Sequence, residues 1–146
     1  MSRAGHLARR FAGSLSRRPP EPADEAWAES QLRGHEVLWW QKMSAADRRH
    51  AIAVARRFER FRVQPTRDEL AAALLHDLGK LDSGLGTFGR VAATVVGAHG
   101  QRFRTYHDHE RIGADRLEQL GSSAATVALV RREGPAADAL AAADDL

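Results

Sequence analysis

The segment Leu70–Leu78, LAAALLHDL, carries leucine or alanine on every side of a helix until its last turn. A helix that is apolar all round has no face to give to water, so neighbours must cover it on all sides. That requirement points to a bundle with this segment at its centre. No stretch sustains the period-two alternation of a half-buried strand, and aromatic residues make up only 6% of the chain. Alanine, the best helix former, is abundant. At 146 residues the chain has the length of one domain. An all-α, single-domain helical bundle of roughly six to eight helices, with no substantial sheet, is expected.

Local punctuation divides the chain. Residues 1–22 read as a basic arm and linker, and 23–146 as the helical domain. Arg3, Arg9, Arg10, Arg17 and Arg18 all precede the first acid, Glu21, and account for much of the net charge of +3. Such an arm suits nucleic acid or an anionic membrane and has the serine- and arginine-rich, acid-poor look of a transit peptide, but Leu7, Phe11 and Leu15 also give it a stripe with which to pack on the domain. The run RRPPEP (17–22) is extended, since consecutive prolines exclude helix. Helices are expected over 23–32 and 36–43, separated by Gly34, with Trp39 and Trp40 anchoring the second. Ser44 with Asp47 starts a helix to Arg62, whose apolar residues are Ile52, Val54, Ala55, Phe58 and Phe61. Thr66 with Glu69 is a capping box opening 67–78, which Gly79 stops. After a glycine loop (84–89), helices follow at 90–98, from Asp108 to 120 with Gly121 as stop, from Ser122 or Ser123 to Arg132, and from Pro135 to the end.

The chain has no cysteine, which excludes disulfides, thiolate zinc sites and cysteine nucleophiles. No apolar run approaches the roughly 20 residues of a membrane span, and a cytoplasmic protein with no membrane partner is expected. Chemistry is concentrated at His76 and Asp77, adjacent residues at the end of the buried segment. A carboxylate and an imidazole buried together need a partner, which is either an ion pair or a cation. His50 one helix earlier, His109 after the loop and Asp144 in LAAADDL extend the set to H…HD…H…D. Imidazole and carboxylate ligands without thiolate suit Mn²⁺, Fe²⁺, Mg²⁺ or Co²⁺ better than a closed zinc site. Ligands drawn from separate helices would place the ion inside the bundle. His6, His35 and His99 have no partner pattern and read as surface or capping residues; turn chemistry is sufficient to explain Asp82.

These residues resemble the HD-domain metal-dependent phosphohydrolases, named for the doublet seen here at His76–Asp77. The resemblance runs from about Ser44 to Leu146, through RRHAIAVARR, LLHDLGK, HERIGADRLEQLG and LAAADDL. It implies metal ligands at His50, His76, Asp77 and Asp144, with Asp77 assisting a water that attacks phosphorus. Lys80 fits a phosphate-binding lysine, and Arg90 is a second candidate. His109 matches a histidine that serves a second metal in two-metal members, with His107 beside it. No histidine stands between His109 and Asp144, and TVALVRREG (126–134) occupies the place of a further ligand, so one metal is expected. Glu133 is the only substitute ligand there, and it reads as a surface residue beside Arg131 and Arg132. The implied substrate is a phosphomonoester or phosphoanhydride, in the first instance of a nucleotide. A non-catalytic nucleotide- or protein-binding module is the alternative reading. A nuclease using the basic arm is the third. Neither the substrate nor the oligomeric state follows from these motifs.

Overall fold

The structure, a computed structural model, describes Gly5, residues 16–79 and residues 109–146, with the backbone alone at 109. Among the described residues there are seven helices and no strand. They are α1 (Pro22–Ser30), α2 (Gly34–Lys42), α3 (Ala45–Phe61), α4 (Arg67–Leu75), α5 (His109–Gln119), α6 (Ala124–Val130) and α7 (Ala137–Asp144). The expected all-α bundle is what the chain forms. None of these helices is long and apolar enough to cross a membrane. The arm at 1–15, apart from Gly5, lies outside the described residues, as do the glycine loop, the 90–98 helix, His6, His99 and Asp82.

Helix starts follow the local chemistry closely. Ser44 Oγ accepts the Asp47 N–H at 3.0 Å. Thr66 Oγ1 accepts from Glu69 N at 3.1 Å, while Glu69 Oε1 accepts from Thr66 N at 3.0 Å, closing the box in both directions. Of the two candidate serines it is Ser123 that caps α6, accepting from Thr126 N at 3.1 Å. Ser122 is instead spent on the buried Glu36, donating to Oε2 at 2.6 Å, with His35 Nε2 3.0 Å from the same hydroxyl. His35 therefore joins the α5–α6 turn to α2. α5 ends in a closed turn, Gly121 N bonding to Glu118 O at 3.1 Å and Ser122 N to Leu117 O at 2.9 Å, with Gly121 at φ +87°.

Several boundaries differ from expectation. Gly34 does not separate two helices but opens α2, because Glu36 Oε1 reaches back to Arg33 N at 2.8 Å and starts the helix there. The last helix begins at Ala137 rather than Pro135, which stays in the preceding turn. Phe61, expected inside, is 49% exposed, since it lies at the last turn of α3 beyond the packed face. Most consequential is α4, which ends at Leu75 instead of Leu78. The side chain of His76 turns back and its Nδ1–H donates to Ala73 O at 2.6 Å, taking over a carbonyl that a further helical turn would have used.

The buried helix takes the central place its composition requires. Glu69 to Leu75 are all buried, and α4 packs on α3 along one side and on α6 along another. α7 lies on α3, and α5 on α6. Trp40 is fully buried, with Nε1 donating to Glu25 Oε1 at 2.6 Å. Trp39 is half-buried beneath the cations of Lys42 and Arg116, 4.3 and 4.6 Å from its ring centre. With α4 held between its neighbours, the His76–Asp77 turn meets the second turn of α3 and the end of α7.

Candidate metal centre

Three elements bring the polar set together. α3 presents His50, half-buried, from its second turn. The turn after α4 supplies His76, fully buried, and Asp77, 5% exposed. α7 supplies Asp144 as its last residue. Asp144 Oδ1 lies 3.3 Å from His50 Nε2 and 3.3 Å from His76 Nε2. The Asp77 carboxylate stands 3.4 Å from His76 Nε2 and 3.8 Å from His50 Nε2. The two imidazole rings are 6.0 Å apart, centre to centre. Ligand atoms of His50, His76 and Asp144 all fall within 4.8 Å of one another, with Asp77 against both rings.

The tautomer of His76 follows from its partners. A carbonyl oxygen only accepts, so the 2.6 Å contact with Ala73 O requires a proton on Nδ1. Nε2 then faces two carboxylates, which also only accept. Either a second proton or a cation must occupy that space. This back-bonding of one ring nitrogen to a carbonyl is how metal-binding histidines are commonly oriented.

Further contacts hold the cluster's far side. Arg57 Nε donates to Ala143 O at 2.7 Å and ties the end of α7 to α3. Arg132 Nη2 donates to Asp144 Oδ2 at 2.9 Å, and its Nε lies 3.4 Å from Glu110 Oε1. Nothing in the sequence patterns singled out Arg132. Arg131 instead pairs with Asp115 and Glu118, at 2.7 and 3.0 Å, and Glu133 is exposed, as expected. No protein-family model, curated protein or solved structure matches the chain. The chemistry of the site therefore rests on the geometry of these side chains.

Beside the cluster is a pocket of about 260 Å³, lined by Glu110, Arg132, Ala137, Asp138, Ala141, Asp144 and Asp145. Four carboxylates and one guanidinium give it an acidic lining. The residues expected to hold phosphate, Lys80 and Arg90, lie outside the described residues, as do His107 and the side chain of His109.

The cluster's own electrostatics set a pH dependence. Burial alone pushes the His76 imidazole down, but the carboxylates of Asp77 and Asp144 outweigh it and hold the group above its ordinary 6.5. Burial pushes Asp144 up, but hydrogen bonds from His50 and His76 more than offset this and hold its carboxyl well below its ordinary 3.8. A raised imidazole stabilises the fold fully below 6.5, and that contribution is lost as pH rises through the folded-state value. A depressed carboxyl stabilises above 3.8, and that contribution is lost as pH falls. The metal-free protein is expected to melt highest between these two values and to weaken on the alkaline side. If the cluster holds Mn²⁺, saturating ion is expected to remove the alkaline loss, because the ion would replace the proton. Melting curves across pH with and without Mn²⁺ test this, and a metal-free profile flat above neutrality would contradict it.

Proposed function

We propose that this chain is a metal-dependent phosphohydrolase, with His50, His76, Asp77 and Asp144 holding one divalent cation. The observation that carries the reading is the inward Nε2 of His76, facing two carboxylates with His50 alongside. Asp77 and Asp144 bring two carboxylates to the imidazoles in a largely buried space, and a dication held there would offset their charge. A divalent ion held there would lower the pKa of a water and offset charge on phosphoryl oxygens. In this reading Asp77, buried against both imidazoles, orients that water and accepts its proton. His76 is locked by Ala73, and Asp144 by Arg132, so the site is held in geometry before substrate arrives. In this reading Lys80 and Arg90 receive the phosphate, and the substrate is a phosphomonoester or phosphoanhydride of a nucleotide.

The purified chain is expected to carry Mn²⁺, Fe²⁺, Mg²⁺ or Co²⁺ by elemental analysis. It should release phosphate from members of a nucleotide panel when supplied with one of these ions, and EDTA should abolish the activity. Protein free of metal and inactive after Mn²⁺ addition overturns the proposal. The lack of a histidine between His109 and Asp144 favours one second reading, a binding module without turnover. Stabilisation by Mn²⁺ and nucleotide with no phosphate released from any member of the panel would select it.

A further inference from the structure

We propose that the guanidinium of Arg132 takes the place of a second cation, bridging Asp144 and Glu110 and limiting the cluster to one metal. The inference rests on the metal reading above and concerns a residue that reading does not use as a ligand. α6 ends at Val130 in a closed turn, with Arg132 N bonded to Leu129 O and Glu133 N to Ala128 O, both at 2.9 Å. The residue at the position of Arg132 in such a turn is ordinarily glycine, because the backbone is left-handed there. Arg132 adopts it at φ +62°. Its Nε and Nη1 are also buried without a hydrogen-bond acceptor among the described residues. Both features work against stability, so the turn itself does not call for arginine here.

What arginine does supply is charge at a defined point. Asp144 turns Oδ1 to the two imidazoles at 3.3 Å and Oδ2 to Arg132 Nη2 at 2.9 Å. A carboxylate shared by two metal ions divides its oxygens in the same way. Glu110, on α5, approaches the guanidinium from another side at 3.4 Å, where it would be a ligand to such an ion. Arginine keeps its proton at every working pH. The positive charge between Asp144 and Glu110 is therefore permanent, and a free ion cannot displace it without moving the side chain.

Mn²⁺ titrated calorimetrically into the metal-free full-length chain tests the inference. The wild type is expected to take up one ion. Arg132→Gly, whose backbone suits the left-handed turn, is expected to take up two, as Asp144 and Glu110 become available to the second. Arg132→Lys, which retains a positive charge, should remain at one. Arg132→Asn, also tolerant of a left-handed backbone, repeats the test if the glycine variant fails to fold. One ion in both the wild type and the neutral variants, or two in the wild type, overturns the inference and leaves the metal reading standing. No ion in the wild type overturns both.

Discussion

Replacing His76 with alanine is expected to abolish metal binding and to lower stability by about 3–5 kcal/mol, the range for breaking a buried ionic pair. His76 is fully buried, and its ring lies 3.3 Å from Asp144 and 3.4 Å from Asp77. Removing the ring takes a compensating charge from Asp77, itself 5% exposed, and leaves a cavity at a fully buried position. It also frees Ala73 O at the end of α4. Against a total stability of roughly 5–15 kcal/mol, a loss of this size brings the chain close to unfolding. His50→Ala is the matched comparison, because His50 is half-buried but touches the same carboxylates. It should lose metal to a similar degree and much less stability. Denaturant unfolding of the metal-free variants, with metal content by elemental analysis, separates the two quantities. Unchanged metal content in His76→Ala would show that the cluster is an ion-pair network and nothing more.

How much of this was legible beforehand depended on the range of the interactions involved. The caps at Ser44, Thr66 and Ser123 act over three residues, so the hydroxyl and its partner are visible side by side in the sequence. The burial of α4 was equally plain, since a helix with apolar residues on every side admits no other position. The polar set at 50, 76, 77 and 144 was readable as residue types in a pattern, and the structure brings those four together. Features set by partners distant in sequence were not readable. Glu36 is buried because Ser122, 86 residues away, supplies a hydroxyl to its second oxygen. α4 stops at Leu75 because an imidazole inside the cluster prefers its carbonyl, a choice that helix propensity does not encode. Arg132 escaped notice for a related reason. Two adjacent arginines look alike in sequence, and only the left-handed turn sends one to Asp144 and the other to Asp115.

Gly113 offers the second large effect, because its close approach to Gly79 sets α5 against the segment that follows the His76–Asp77 doublet. A methyl group added at Gly113 would stand 2.9 Å from Gly79 N, 3.5 Å from Gly79 Cα and 3.6 Å from Leu78 Cβ. The nearest of these atoms is backbone, which cannot rotate aside as a side chain would. Helix propensity favours alanine over glycine within α5 by at most about 1 kcal/mol. Overpacking of this kind costs about 1–3 kcal/mol, so the clash outweighs the propensity and Gly113→Ala should destabilise the fold. The displaced segment is the one that follows Asp77 directly, so the strain disturbs the fit of the His76–Asp77 turn against His50 and Asp144. Metal affinity is therefore expected to fall even though Gly113 touches no ligand. Gly34→Ala is the control, since a methyl there meets nothing within 4 Å; it should be neutral or slightly stabilising, with metal binding unchanged. Thermal melts of the metal-free proteins and Mn²⁺ titrations of both variants give the comparison. Equal behaviour of the two would mean that α5 and the doublet turn are not in contact, and that Asp77 is positioned from the α3 side alone.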